Sequence, residues 1–319
     1  MTIRPYQLLC LICSLGERGG PKEATLKKLA ARIRVEPDLP LTLVCNAGDV
    51  YVFQDPGVAG DTPEGRDFNR KRDLDILQRM GWPPGVTLPA RTALKMIHQQ
   101  IPSVAGLCGY AHATSAAWKG CPKARSGAYA RGHKKGLSAL LPPRNKAEMV
   151  REKTKSMRAL RAATVVTIRP HLLLCAVCQY GSGLRPPYAD DNLPELLDLI
   201  LHKNPDVMIK MAGQADWMMC GPCPNRAPKL NACVNVLGSG GLSNEKRDLD
   251  LLQILGLEFG STMKARDLLL RLFARIPSTQ AVCARDNVRP SVWWDGCGEY
   301  NLKKGKVSYA KGRRALMKM

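Results

Sequence analysis

The chain carries an internal repeat, and this repeat constrains its fold more than any other feature. Nine of the fifteen positions from Thr2 to Gly16 recur with the same residue 165 positions later, between Thr167 and Gly181. A second block, Asn69 to Asp75, returns 175 positions later as Asn244 to Asp250. Because the matching blocks keep one order along the chain, the sequence indicates a tandem duplication. The offset grows between the two blocks, so the second copy carries an insertion there.

Two homologous domains follow from the repeat. We predict a first domain over residues 1–137 and a second over 165–319, joined by a basic, proline-containing linker over 138–164. The 319 residues are 45% hydrophobic, which is enough apolar surface for two cores. Neither an apolar run of about 18 residues nor the layout of a signal peptide is found, so we expect a cytoplasmic protein without a membrane span.

The positive charge is concentrated in two stretches. The net charge is +21, and residues 119–164 and 302–319 supply 18 of those charges. Such segments attract phosphates by releasing counterions, although aromatic residues for base stacking are only 5% of the chain. A basic C-terminal tail is therefore a candidate for non-specific contact with nucleic acid or an acidic partner, through Lys303, Lys304, Lys306, Lys311, Arg313 and Arg314; the plain alternative is a solvated tail.

Hydrophobic periodicity predicts an α+β fold that is rich in helices, with a small β component in each domain. Apolar residues at helical spacing predict a helix over Leu193–His202, capped by Asn192, and two more over Asn244–Leu255 and Ala265–Ile276. Alternation over Asp206–Met211 predicts a strand. Residues 163–178 fit either a strand that runs into a turn or a helix. The first half repeats this plan through Ala24–Ile33, Leu41–Cys45, Asn69–Met80 and Arg91–Ile101.

The cysteines carry the predicted chemistry. Twelve are present, and in a reducing compartment they are typical of metal ligands or redox thiols. Cys220, Cys223 and Cys233 lie in a Gly/Pro-rich stretch with little apolar sequence around it, which disfavours their being core residues. We predict that these three, with Cys175 as the fourth ligand, bind one metal centre. Four thiolates suit a [4Fe–4S] cluster or structural zinc, and spacing alone does not separate them.

Other residues of the second half are assigned supporting roles. Cys178, Cys283 and Cys297 could form a second site or simply pack in the core. His171 could tune a cluster by hydrogen bonding to a sulfur, and Arg169 and Asp216 lie near the predicted ligands in sequence. The tetrapeptide Cys220–Cys223 is also that of thioredoxin, but the prolines that follow disfavour the helix which that chemistry needs.

The first half lacks the Cys-x-x-Cys loop. Asp55 stands where Cys223 would fall, and Cys45 has no counterpart. The half keeps Cys10, Cys13, Cys108 and Cys121. We interpret it as a degenerate copy that has lost the cluster loop and serves as a scaffold or partner surface; a site at Cys10, Cys13 and Cys45 is a weaker alternative.

The second half resembles an uncharacterised bacterial and archaeal family of short Cys-rich proteins that open with Arg-Pro-His-His-Leu-Leu-Cys. The residues that carry the resemblance are Arg169 to Cys175, Asp216, Cys220 to Pro224, Cys233, Cys283, Trp293, Trp294 and Cys297. Leu172 departs from the pattern at the second His, and in the first half Tyr6 replaces the first His. The resemblance implies an iron–sulfur centre.

The expected function is therefore that of an iron–sulfur module for electron transfer or a redox or structural role, working with an unknown redox partner protein. The alternative is a structural zinc protein whose basic tails contact nucleic acid. An enzymatic role is undecided, because nothing in the sequence indicates a substrate pocket.

Overall fold

A computed structural model of the chain describes residues 1–46, 61–234, 242–283 and 304–318. The chain divides into two compact units, Met1–Pro143 (unit 1) and Arg144–Met319 (unit 2). Helices predominate and the strands are short, so the predicted helix-rich α+β class is confirmed.

Unit 1 places a small sheet beside a set of helices. Its described elements are β1 (Thr2–Ile3), α1 (Pro5–Leu15), α2 (Ala24–Val35), β2 (Pro40–Leu43), α3 (Arg66–Met80), β3 (Thr87–Pro89), α4 (Ala90–Gln100) and α5 (Ala128–Lys135). Strand β2 is central; it pairs parallel to β1 and antiparallel to β3. Pro5 occupies the first turn of α1, where the missing N–H would have had no partner in the helix.

Unit 2 repeats this plan and adds elements to it. It consists of α6 (Lys146–Ala162), β4 (Val165–Ile168), α7 (Pro170–Gly181), α8 (Leu193–His202), β5 (Met208–Met211), α9 (Trp217–Cys220), β6 (Arg226–Ala227), β7 (Ala232–Cys233), α10 (Leu242–Leu255), β8 (Thr262–Lys264), α11 (Ala265–Arg275), α12 (Gln280–Cys283) and α13 (Lys304–Leu316). Strand β5 pairs parallel to β4 and antiparallel to β8, as β2 does with its neighbours. The short hairpin β6–β7 lies in the inserted segment.

Glycines allow two helix pairs to approach closely at matching places. A Cβ on Gly132 of α5 would lie 1.9 Å from the carbonyl oxygen of Ile12 in α1. A Cβ on Gly312 of α13 would lie 2.1 Å from the carbonyl oxygen of Val177 in α7. Since any larger residue would strike backbone, glycine is required for both crossings.

Most predicted elements lie where the periodicity placed them. The helix over Leu193–His202 begins and ends as predicted, with Asn192 at the N-cap position. The Asn192 side chain, however, donates to Ser156 Oγ and the Met218 carbonyl oxygen, and it is Asp191 that accepts from the first amide of the helix. For residues 163–178 the sequence left a strand or a helix open, and the structure has strand β4 followed by most of helix α7.

Two basic segments are ordered parts of unit 2. The segment expected to be a linker forms helix α6, in which Ser156 and Leu160 are buried. The segment expected to be a tail forms α13, whose Tyr309 is 1% exposed and donates its hydroxyl proton to the Ile276 carbonyl oxygen. Both segments therefore contribute to the core of unit 2.

Candidate metal centre

The three loop cysteines lie in one region of unit 2 because short local elements connect them. Cys220 ends helix α9, where its amide donates to the Asp216 carbonyl oxygen at 2.8 Å. The Cys223 amide donates to the Cys220 carbonyl oxygen at 3.0 Å, which closes a tight turn. The hairpin then returns Cys233 opposite Arg226, whose own amide donates to the Cys223 carbonyl oxygen. The turn and the hairpin together explain how residues 13 positions apart share one region.

Burial and mutual repulsion set the protonation of these thiols. Burial raises the pKa of Cys220 far above its ordinary value, and the neighbouring Cys223 and Cys233 raise it further. Burial likewise raises the pKa of Cys223 to about 11, with Cys233 adding to the effect. Without a metal the thiols of Cys220 and Cys223 are therefore protonated at neutral pH, and a cation that replaces these protons would remove the repulsion between the sulfurs.

Helix α6 supports the loop. Arg144, just before this helix, donates from Nη1 to the carbonyl oxygens of Gly221 and Cys223 at 2.6 and 2.9 Å. Trp217, at the start of α9, donates from its indole nitrogen to Glu152 of α6. The Cys220–Cys223 turn and the start of α9 thus both depend on a segment that was expected to be a linker.

The predicted supporting residues lie around a buried carboxylate. Asp248 of α10 accepts from Arg169 Nε at 2.7 Å, and from the amide and Nδ1 of His171 at 2.9 and 2.6 Å. Because Nδ1 is engaged by Asp248, only Nε2 of His171 is left for a contact with sulfur. Arg169 also acts on the loop, since its charge opposes the effect of burial on the Cys220 thiol. Asp216 accepts from the Thr167 hydroxyl.

The remaining predicted cysteines lie on or beside α7. Cys175 and Cys178 are on this helix and Cys283 ends α12; all three are partly buried and pack against the core of unit 2. Cys297, Trp293 and Trp294 lie outside the described residues. Within the residues that the structure describes, no three Cys, His, Asp or Glu side chains are placed so as to hold one metal ion.

The basic residues of the C-terminal segment have different surroundings. Arg313 donates from Nε and Nη2 to the Phe273 carbonyl oxygen, at 3.2 and 2.9 Å. Lys311 and Arg314 are exposed on α13. Lys303 lies outside the described residues, and the side chains of Lys304 and Lys306 are not described. Among the described side chains of the six, Lys311 and Arg314 are exposed and Arg313 is partly buried.

Comparisons with protein-family models, curated proteins and solved structures find no match. No described helix has the length and apolar character needed to cross a membrane.

Two features of the structure were not predicted from the sequence, one at the loop of unit 2 and one in unit 1. Arg144 and Glu152 had only their charge as a signal, and charge does not reveal which backbone an arginine will bind. In unit 1, the structure brings Cys10, Cys13, Cys108 and Cys121 to the wall of one cavity. The signal for that grouping was present, because each of the four has a counterpart in the second half.

Proposed function

We propose that the protein is an iron–sulfur module and that unit 2 binds a cysteine-ligated cluster at Cys220, Cys223 and Cys233, with Cys175 as the fourth ligand. A [4Fe–4S] cluster would supply one-electron redox chemistry. The residues of the chain would hold it and set its surroundings, since cluster potential depends on charge, hydrogen bonds and exposure.

The observation that carries this proposal is the shared environment of the three loop thiols. Each of the other two raises the pKa of the Cys220 thiol, so the three sulfurs lie within electrostatic reach of one another. Arg144 fixes the loop through its backbone carbonyl oxygens, while the Cys233 sulfur accepts a hydrogen bond from Asn244 Nδ2 at 3.6 Å. The Arg169 charge favours the thiolate form of Cys220, which is the form that binds metal.

The test is the metal content of the full chain purified without oxygen. Iron and acid-labile sulfide in equal amounts, with broad visible absorption, are expected. Cys220→Ser and Cys223→Ser should each lower the iron and sulfide content, while Asn225→Ala, a neighbour in the same loop, should not. Unchanged iron in both serine variants would contradict the assignment to this loop.

The fourth ligand has a separate test, because the repeat offers a rival assignment. Cys10, the counterpart of Cys175, shares its surroundings with Cys13, Cys108 and Cys121. If Cys175 completes the loop centre, Cys175→Ser should match Cys220→Ser in iron content and spectrum, and Cys178→Ser should leave both unchanged. If Cys175→Ser matches Cys178→Ser instead, Cys175 belongs with Cys178, Cys283 and Cys297.

Stoichiometric zinc in colourless protein would support the alternative, a structural zinc protein. The exposed basic residues of α13 would then be the surface to test for nucleic-acid contact.

A further inference from the structure

We infer that unit 1 holds a second cysteine-ligated iron–sulfur cluster, in the cavity lined by Cys10, Cys13, Cys108 and Cys121. The cavity has a volume of about 290 Å³, and all four cysteines are among the residues that line it. It does not depend on the inserted loop of unit 2. This inference therefore reverses our sequence-based interpretation of the first half as a copy that has lost its centre.

Two of the four thiols are placed by one helix. Cys10 and Cys13 are three residues apart on α1, so both point from the same side of that helix. Burial raises the pKa of Cys10, and the nearby Cys108, Cys121 and Cys13 all add to the rise. All four cysteines line the same cavity, so they share one region of unit 1.

The other two thiols are joined by the backbone. The Cys121 amide donates to the Cys108 carbonyl oxygen at 2.7 Å. Gly120, between them in space, has a φ of 81°, and a Cβ there would lie 2.7 Å from the same carbonyl oxygen. The contact therefore requires glycine at position 120, and it ties a cysteine 13 residues further along the chain to Cys108. Pro122 follows Cys121, as a proline follows a ligand in some bacterial cluster loops.

A buried cation faces the same cavity. Arg72 of α3 is 1% exposed, lines the cavity, and has no hydrogen-bond partner for its Nε. Its Nη2 donates to Asn69 at 2.5 Å, and its guanidinium lies 4.0 Å from the centre of the Tyr6 ring. The guanidinium charge acts on the buried Asp73 carboxylate and on the thiols of Cys10 and Cys108. A cluster with four thiolate ligands is an anion, so a buried cation beside it would favour its binding.

The size of the cavity favours a cluster over a single ion. A zinc ion with four sulfurs at about 2.3 Å leaves no room between ligands. The volume of this cavity is far larger than the roughly 10–15 Å³ that is needed, on the same measure, to hold one water. On binding, four S–H bonds break, four S–Fe bonds form, and four protons leave to solvent. Lys123, which pairs with Glu17 at 2.8 Å, lines the cavity and is exposed.

The experiment uses the full chain in a background that removes the thiols of unit 2. In this background Cys175, Cys178, Cys220, Cys223 and Cys233 are changed to serine, so unit 2 keeps only Cys283 and Cys297. The protein is reconstituted without oxygen with equal amounts of ferrous and ferric iron and with sulfide, desalted, and analysed for iron, sulfide and visible absorption. We expect one cluster per chain, lost on adding Cys13→Ser with Cys121→Ser and kept on adding Cys45→Ser, a buried cysteine outside the cavity.

The outcomes separate this inference from the proposed function. A cluster in the background variant would confirm the site in unit 1 and would leave the proposed site in unit 2 unaffected. A background variant that folds but binds no iron would overturn the inference. Zinc without sulfide, lost in the Cys13/Cys121 variant, would also overturn it as a cluster site. Where the background fails to fold by circular dichroism, Cys13→Ser with Cys121→Ser in the otherwise natural chain decides: unchanged iron and sulfide content overturns the inference, and a loss confirms it.

Discussion

Units 1 and 2 each contain the same kind of buried arginine–aspartate contact, but they differ in the charges around their cysteines. In both, an arginine after the first strand pairs with a fully buried aspartate, Arg4 with Asp73 and Arg169 with Asp248, at 2.6 Å each. In unit 2 the aspartate also holds the His171 side chain, where unit 1 has Tyr6. After the duplication, the contact that fixes the backbone was therefore kept while the surroundings of the thiols changed.

A second pair of helices shows the same division. In unit 1, His98 and His133 stack at 4.0 Å, and the Nε2 of each bonds the carbonyl oxygen of the other. In unit 2 these positions are Phe273 and Arg313, and the arginine donates to the Phe273 carbonyl oxygen. The contact between α4 and α5 thus has a counterpart between α11 and α13, while the side chains that form it differ.

The largest expected effect comes from removing the shared anchor. Asp248→Ala leaves Arg169 buried without its partner, and breaking such a pair costs about 3–5 kcal/mol. We expect Asp73→Ala to be destabilising in the same range, but less so, because Arg4 keeps Asp61 at 2.5 Å. Denaturant unfolding monitored by circular dichroism measures both. Asp250→Ala, which removes an exposed pair with Lys246, is the control and should cost less than about 1 kcal/mol. Equal losses in all three would contradict the shared anchor.

The helix crossings should be sensitive to a single methyl group. Gly132→Ala and Gly312→Ala each push a Cβ into backbone of the partner helix, so we expect at least the ~1–3 kcal/mol typical of overpacking. Thermal unfolding gives the comparison between the two units. Gly213→Ala, whose Cβ would meet only the Phe259 ring at 3.5 Å, should be nearly neutral. Tolerance of alanine at either crossing would show that the helices can separate without loss.

The difference between His171 and Tyr6 predicts a pH dependence of stability that arises from the histidine of unit 2. Burial lowers the pKa of His171, against the opposing effect of Asp248, while Arg169 and Arg247 lower it further. The unfolded chain therefore binds this proton more readily than the folded chain, and stability should be lost as pH falls through about 6.5. The denaturation midpoint measured between pH 7.5 and 5.5 should fall in the natural chain and fall less in His171→Tyr. An unchanged midpoint in the natural chain would contradict this.

The smallest expected effect concerns the basic residues of α13. Removing 302–319 would remove a helix that contributes to the core, so charge changes are the better test. Lys311→Gln and Arg314→Gln should each reduce the salt dependence of nucleic-acid binding by about one phosphate contact. Arg313→Gln should leave the salt dependence unchanged, because that side chain serves the Phe273 carbonyl oxygen. Binding that is insensitive to both exposed residues would exclude α13 as the contact surface.

Much of the site depended on information that local sequence does not carry. The CxxC spacing correctly suggested that Cys220 and Cys223 share a turn, because two residues between them are enough to close one. Arg144 binds carbonyl oxygens that lie 77 and 79 residues further along the chain. The buried Asp248 binds Arg169 and His171, which lie 79 and 77 residues before it. Periodicity reports that one face of a helix is buried, but it does not identify what covers that face.

The duplication, the helix-rich α+β class and the approximate bounds of the main helices were predictable from the residue order alone. These follow from the order of the matching blocks and from apolar spacing, both of which are local along the chain. Only the tertiary structure decided that α6 and α13 belong to the core and that Cys10 and Cys108, 98 residues apart, reach one cavity. The physical reason is that a ligand set is defined by distances in space, and those distances exist only once the helices have packed.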